Sequence, residues 1–278
     1  MSDEPAPGLY VVATPIGNLG DLSPRAADML RRASRILAED TRVTGKLLAH
    51  VGSNVPMSRY DDHSSDADRE AIVARLGSEA IALVSDAGTP LISDPGYKLV
   101  RDARAAGHEV RAIPGPSAAI AALSISGLPT DRFLFVGFLP AKAKARADAI
   151  AEIADVRATL VIYETGPRLG DTLQALLDIL GDQMAVLARE LTKLYEESFV
   201  GTLGELAERF RDAAPKGEMV IVVGPPAPRK EASDDELDVA LDEALTRLSP
   251  SRAAAEVAKR LNVPRKRTYA RALERSAK

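Results

Sequence analysis

The chain has 278 residues, 46% of them hydrophobic and 27% charged, with a formal net charge of −4; this leaves room for two domains with sizeable cores and excludes a disordered chain. It contains no cysteine, so disulfides, thiolate metal sites and a cysteine nucleophile are excluded, and a reducing, cytoplasmic setting is expected. His50, His63 and His108 lie far apart and form no metal-ligand pattern, and with an acidic start and no apolar run of about 18 residues neither a signal peptide nor a membrane span is expected.

Leu9 to Ala13 is a strand-like apolar run, and it ends in the Gly/Pro loop Thr14 to Asp21. An amphipathic helix over Pro24–Ala33 follows, then a strand over Arg35–Ala38 that ends in Glu39-Asp40-Thr41-Arg42, with Thr41 or Thr44 expected to cap a helix reaching His50. After a helix over Asp66–Leu76, the run Ile81 to Val84 reads as a buried parallel strand. It stops in the loop Ser85 to Gly96, where Gly88 lets a ligand approach the main chain. A helix over Tyr97–Ala106, a strand over Val110–Ile113 and the turn Pro114-Gly115-Pro116-Ser117 complete this half, with Ser117 expected to cap the helix Ala118–Ile125. Strands alternating with helices predict a mostly parallel sheet, whose ligands lie beyond the carboxyl ends of its strands. Three such ends carry Gly/Pro loops with few charges, and neither Gly-x-x-x-x-Gly-Lys-Ser/Thr nor Gly-x-Gly-x-x-Gly occurs. A largely uncharged ligand held by main-chain groups is expected rather than a nucleoside triphosphate.

A second α/β unit begins at Phe133, with strands over Phe133–Phe138, Thr159–Tyr163, Met184–Ala188 and Met219–Val223 and helices over Ala143–Ile153, Arg168–Leu180 and Leu203–Phe210. The expected division is residues 1–117, residues 118–226, a linker over 227–235 and a helical tail over 236–278. Within the tail, Ser251–Leu261 and Arg265–Arg275 flank Asn262-Val263-Pro264 at helix-turn-helix spacing. Its last 28 residues are mostly basic in their charges, after an acidic stretch over Glu231–Glu243, and a basic tail on an acidic body points to a polyanionic partner.

The segments Ala13 to Asp21, Ala38 to Arg42, Val84 to Gly96, Pro114 to Ser117, Gly127 to Phe133, Gly137 to Pro140, Ala188 to Lys193 and Lys216 to Met219 together resemble the tetrapyrrole methylase superfamily, the class III S-adenosylmethionine-dependent methyltransferases built from two α/β domains. The likeness is strongest to a branch that methylates the ribose 2′-hydroxyl of a cytidine in the decoding centre of 16S rRNA, and the C-terminal helices are similar to the basic tail of that branch. The resemblance implies a homodimer acting on 16S rRNA within the small ribosomal subunit, with S-adenosyl-L-methionine held in a cleft between the domains. Carried over position by position, the donor site comprises Pro15, Ile16, Gly17, Asp86, Ala87, Gly88, Leu91, Ile92, Ser117, Ala118, Tyr163, Leu191, Glu218 and Met219. Pro167 stands where relatives have a histidine, so no imidazole role is assigned there.

Methylating a hydroxyl needs alignment of the reacting atoms and a positioned base. Asp40, His63, Glu164, Glu190 and Lys193 are the candidates, each in a segment shared with the family near a predicted strand end. Arg42, Arg168, Arg189 and Lys193, with Arg265, Lys266, Arg267 and Arg271 of the tail, are expected to contact RNA phosphates or to orient a carboxylate. Aromatic residues make up only 4% of the chain, without tryptophan, so recognition by ribosomal shape is expected over extensive base stacking. Two rivals stay open: a precorrin-type C-methyltransferase of the same fold, and a non-enzymatic ligand sensor that reads DNA with its helical tail.

Overall fold

A computed structural model describes residues 4–61, 63–226, 233–261 and 263–276. The chain divides into two compact units, Met1–Pro226 and Ala227–Lys278. The larger holds two five-stranded sheets.

The first sheet contains β1 (Gly8–Val12), β2 (Arg35–Ala38), β3 (Met57–Arg59), β4 (Ala80–Val84) and β5 (Val110–Ile113), in the order β3-β2-β4-β1-β5. Every neighbouring pair is parallel. Its connections are α1 (Pro24–Arg32), α2 (Thr41–Val51), α3 (Asp66–Arg75) and α4 (Tyr97–Ala105). Side chains alternate between the faces of a strand, and both faces here are dry. Tyr10, Val12, Ile36, Ala82 and Val84 pack with Met29 and Leu30 of α1 and Leu47 and Leu48 of α2. Leu9, Leu37, Ile81 and Leu83 face the other way, onto Leu99 and Ala103 of α4. This is why β4 reads as an unbroken apolar run.

The second sheet has the order β6-β7-β10-β8-β9, from β6 (Phe133–Phe138), β7 (Thr159–Thr165), β8 (Met184–Arg189), β9 (Glu197–Thr202) and β10 (Glu218–Val223). Only β6 and β7 run parallel; the β7–β10, β10–β8 and β8–β9 pairs are antiparallel. One face carries Leu160, Ile162, Leu187 and Ile221 against α6 (Ala143–Ile153), α7 (Gly166–Leu180) and α8 (Leu203–Phe210). The other carries Val161, Val186, Val220 and Val222, and it is covered by Ala119, Ala122 and Leu123 of α5 (Ala118–Ile125) together with Ile16 from the loop after β1. One segment of the first half thus seals the second sheet. Truncating a fully buried member such as Ile162 to alanine costs roughly 2–5 kcal/mol.

Two predicted caps are corrected. Asp40, not Thr41 or Thr44, caps α2, accepting from the Arg42 N–H at 2.8 Å; Thr44 is buried within the helix. Ser117 occupies the cap position of α5 without a side-chain cap bond, and the Ala119 N–H donates instead to the Tyr163 hydroxyl at 3.1 Å.

In the smaller unit, α9 (Asp234–Leu245), α10 (Pro250–Leu261) and α11 (Arg265–Ser276) enclose Leu237, Leu241, Ala253, Val257, Val263 and Ala272. Residues 227–232 of the predicted linker lie outside the described residues, and the rest of it belongs to the helix: Ser233 caps α9 in a reciprocal pair with Glu236.

Candidate active site

The strands of the first sheet deliver their carboxyl ends to one place. Ile16 after β1, Glu39 after β2, residues 86–89 and 92–94 after β4, and Ser117 and Ala118 after β5 line a cleft of about 320 Å³. The facing wall comes from the second sheet: Phe138 of β6, residues 163–165 of β7, Glu218, Met219 and Val220 of β10, and Leu191. The volume suits a small ligand, and the position is where open parallel sheets bind one.

The loops are tied together before any ligand arrives. Thr14 and Gly88 exchange both backbone hydrogen bonds, at 2.8 and 3.2 Å. The Thr14 hydroxyl donates to the Ser85 carbonyl at 3.2 Å, and that of Thr89 to the Pro116 carbonyl at 3.0 Å. Gly88 has φ +87°, and a Cβ there would meet Ile16 Cγ2 at 3.2 Å. Its backbone therefore joins two loops, and the same residue lines the cleft. The non-glycine residues with left-handed φ among the described residues are Leu91, Ser93, Glu190 and Thr192. All four sit in the two loops that flank the cleft, and such strain is held only where surrounding packing over-determines it.

The wall around Tyr163 is aromatic. Phe135 and Phe138 approach its ring edge-on, with centroids 5.0 and 5.5 Å away. Burial pushes the Tyr163 hydroxyl above its ordinary pKa, with Asp94 and Glu218 adding to the rise. It stays protonated at neutral pH.

The cleft is lined by acidic groups. Asp86 accepts from the Asp40 N–H at 3.0 Å. Asp94 is pushed up to about 6, chiefly by burial and then by Glu39 and Asp86, against the Ser85 hydroxyl that faces it. Glu164, 1% exposed, accepts from the Thr172 hydroxyl at 2.6 Å and the Thr165 N–H at 2.8 Å, with Arg168 Nε at 3.2 Å. Lys193 Nζ donates to Glu190 at 2.8 Å and to Glu218 at 3.1 Å, and Glu190 also accepts from the Glu218 N–H at 3.0 Å. Lys193 also passes over Gly17, where any Cβ would collide with its side chain. Burial opposes the charge of Lys193, yet Glu190 and Glu218 move its pKa upward overall; Lys193 in turn holds Glu190 below the ordinary carboxylate range.

Of the residues expected to hold a donor, Ile16, Asp86, Ala87, Gly88, Ile92, Ser117, Ala118, Tyr163, Leu191, Glu218 and Met219 line this cleft. Pro15, Gly17 and Leu91 do not line it; Leu91 packs beneath its loop among the apolar residues of α4 and β4. Among the expected bases, only Glu164 is in the wall. Asp40 is held far below its usual range by Arg42 and caps α2, Glu190 and Lys193 bind each other, and exposed His63 lies before α3 with its N–H on Asp61 at 2.9 Å. The arginines expected at RNA are engaged internally: Arg42 with Asp40, Arg168 with the Leu139 carbonyl and Glu164, and Arg189 with Glu197 and the Lys216 carbonyl. In α11, Arg267 pairs with Asp234 and Arg271 with Asp238, while exposed Arg265 and Lys266 make no ion pair with a described residue.

Glu39, Thr89, Ser93, Asp94, Phe138, Thr165 and Val220 also line the cleft and escaped sequence reasoning. Asp94 and Phe138 stood inside the shared motifs Val84 to Gly96 and Gly137 to Pro140: Asp94 lies in the loop after β4, and Phe138 is the last residue of β6. Among the described residues no cluster of His, Cys, Asp and Glu suited to a metal ion occurs.

Residues 8–207 match the family of Tetrapyrrole (Corrin/Porphyrin) Methylases, and residues 231–276 match the RsmI C-terminal HTH domain. Ribosomal RNA small subunit methyltransferase I of Erythrobacter litoralis is 54% identical, over 98% of this chain and 97% of that protein. Its namesakes in Xylella fastidiosa (strain Temecula1) and Synechocystis are 50% and 44% identical, over 94% and 97% of this chain and 97% and 98% of theirs. Among solved structures, a diphthine synthase matches with a TM-score of 0.60 at 16% identity, covering 78% of this chain and 89% of its own. A uroporphyrin-III-C-methyltransferase from Thermus thermophilus matches at 0.55 and 21%, covering 78% and 93%. These two likenesses concern the fold alone.

Proposed function

We infer what this chain does from where it belongs, and it belongs to the tetrapyrrole methylase family. It is an S-adenosylmethionine-dependent methyltransferase acting on ribosomal RNA. The acceptor we propose is the ribose 2′-hydroxyl of a cytidine in the decoding centre of 16S rRNA, presented by the small ribosomal subunit.

The observation that carries this reading is the charge of the cleft. Glu39, Asp86, Asp94, Glu164 and Glu218 line it, and among the described residues no lysine or arginine does. Lys193 and Arg168, the cations nearest these carboxylates by bonding, are already paired. A phosphate-bearing cofactor would meet repulsion there, whereas a ligand carrying a sulfonium and an ammonium meets attraction. The residues therefore fit S-adenosylmethionine. Asp86, Ala87 and Ser117 of the first half and Ala118 at the start of the second would hold it, with Ile16, Ile92, Leu191, Met219 and the Tyr163–Phe138 wall around its apolar parts. Bound there, the donor supplies a methyl group activated by positive sulfur. The protein's part is alignment: a preformed, cross-tied cleft removes the orientational freedom that slows the same reaction in water. Residues 1–117 and 118–226 are the two halves that enclose the donor, and 236–278 are read as the RNA-binding tail.

On this reading the enzyme works as a cytoplasmic homodimer, which sedimentation of the purified protein tests. No helix among the described residues is long and apolar enough to cross a membrane. Offering labelled donor with small ribosomal subunits, free rRNA, duplex DNA and a porphyrinoid acceptor tests the function. Transfer to the subunits, or to the rRNA, is expected; transfer to the porphyrinoid alone would establish the rival chemistry.

A further inference from the structure

We propose that Asp94 is the catalytic base, its carboxylate taking the proton from the acceptor hydroxyl as that oxygen attacks the methyl carbon. This rests on the reading above. In the step the O–H bond breaks and its proton passes to Asp94. The freed oxygen pair forms the new C–O bond, and the C–S pair returns to sulfur, leaving a neutral thioether. After product leaves, the proton returns to water through the open side of the cleft.

Geometry favours Asp94; Glu39, the other carboxylate that lines the cleft from the first sheet beside Asp86, is itself engaged by another group. A base must face the cleft, retain an accepting lone pair and be held still. Glu164 faces the cleft but accepts from Thr172 and Thr165 and pairs with Arg168. Glu218 is bound by Lys193, Asp86 accepts a main-chain N–H, and the Tyr163 oxygen accepts one from Ala119. Asp94 has no lysine, arginine or backbone donor on its carboxylate among the described residues; the Ser85 hydroxyl, which also reaches the Gly88 carbonyl at 3.5 Å, is the group that holds its pKa down against burial. The chain is set firmly on either side. Left-handed Leu91 and Ser93 precede it, Leu91 is anchored in the core, and Pro95 restricts the backbone of Asp94 to extended conformations.

The charged and titratable groups around Asp94 reinforce the role. Glu39 from the end of β2 and Asp86 from the loop after β4 are both negative and favour the protonated form, as burial does; Tyr163 of β7 is neutral. The result is a carboxyl that titrates at about 6, close enough to neutrality to accept a proton and release it again.

The test combines a titration with a variant. In the donor-free protein, the carboxyl carbon resonance of Asp94, assigned by its absence in Asp94→Asn, should titrate near pH 6. In Asp94→Asn, methyl transfer to small ribosomal subunits at saturating donor should fall by about 100-fold or more, and the acidic limb of the pH–rate profile should disappear. Calorimetric affinity for the donor should fall far less than turnover does, since four other carboxylates still line the cleft and a step-specific group lowers kcat at saturating donor. Asp94 titrating near the ordinary 3.9, or a variant with wild-type turnover, would overturn the assignment. So would a loss confined to donor affinity, which would make Asp94 a partner of the donor's positive charge. A wild-type protein inert on every RNA acceptor would instead remove the parent reading, and the base with it.

Discussion

Lys193 joins three parts of the chain: it crosses Gly17 of the first loop and binds Glu190 and Glu218 on the opposite wall. Replacing it with methionine leaves two carboxylates without their cation. Glu190 is depressed by Lys193, so its stabilising share is present above the ordinary carboxylate pKa and disappears as pH falls through the native value. Lys193 is raised, so its share is present below its ordinary pKa and disappears as pH rises through the native value. Lys193→Met should therefore lower Tm by a steady amount across neutral pH, with the deficit shrinking below about pH 4; a pH series of melting curves checks this. Asp94 has the opposite sign. A carboxyl raised in the native state destabilises the fold as pH climbs from its ordinary value toward 6, and keeps doing so above that. Asp94→Asn should melt higher than wild type at pH 8, by about 2–4 °C for each kcal/mol relieved, and match it at pH 4. Such a gain with lost turnover would be the usual trade of stability for function. Asp94 was not legible as a base beforehand because its distinction lies in what it lacks, a cationic or main-chain partner, and only the folded arrangement reveals that. The cap of α5 escaped for a related reason: its acceptor, Tyr163, is 44 residues further along the chain.

The helices of the tail carry a pattern that the sequence does contain. Asp234, Asp238 and Asp242 recur every four residues in α9, as do Arg267, Arg271 and Arg275 in α11, and the two rows pair in order. Spacing of four places residues on one helix face. The acidic stretch and the basic stretch are thus largely each other's partners, and the cations of the tail that make no ion pair with a described residue narrow to Arg252 and Lys259 of α10 and Arg265 and Lys266 of α11. Asp238→Ala should loosen the three helices and free Arg271 of its cross-helix partner, while Arg275 keeps Asp242, seen as a lower melting transition and a steeper salt dependence of RNA binding. Arg265→Ala with Lys266→Ala should leave helicity unchanged and reduce that slope by about 1–2. Strands were legible in proportion to their burial. The apolar runs of β4, β8 and β10 announced themselves, but β3 and β9 did not. Both are edge strands, half-wet and lacking an apolar alternation: Met-Ser-Arg, and Glu-Ser-Phe-Val-Gly-Thr.

At the scale of the molecule, two sheets that share no sequence repeat are fastened by α5 and the loop after β1, and the cleft proposed for the donor lies along that seam. The smaller unit has its own core. Removing residues 233–278 should accordingly weaken binding to small ribosomal subunits by tenfold or more while leaving calorimetric donor affinity within about twofold; equal loss of both would show that the tail supports the cleft. The function proposed above has this acidic crevice present a methyl group to a sugar oxygen of ribosomal RNA. Its most direct test is to hydrolyse 16S rRNA with alkali after incubating small subunits with labelled donor, because a methylated 2′-oxygen blocks cleavage of the adjoining linkage. Label retained in a single alkali-resistant dinucleotide beginning with cytidine is the predicted result. Label released in mononucleotides methylated on the base, or no incorporation into RNA, would contradict it.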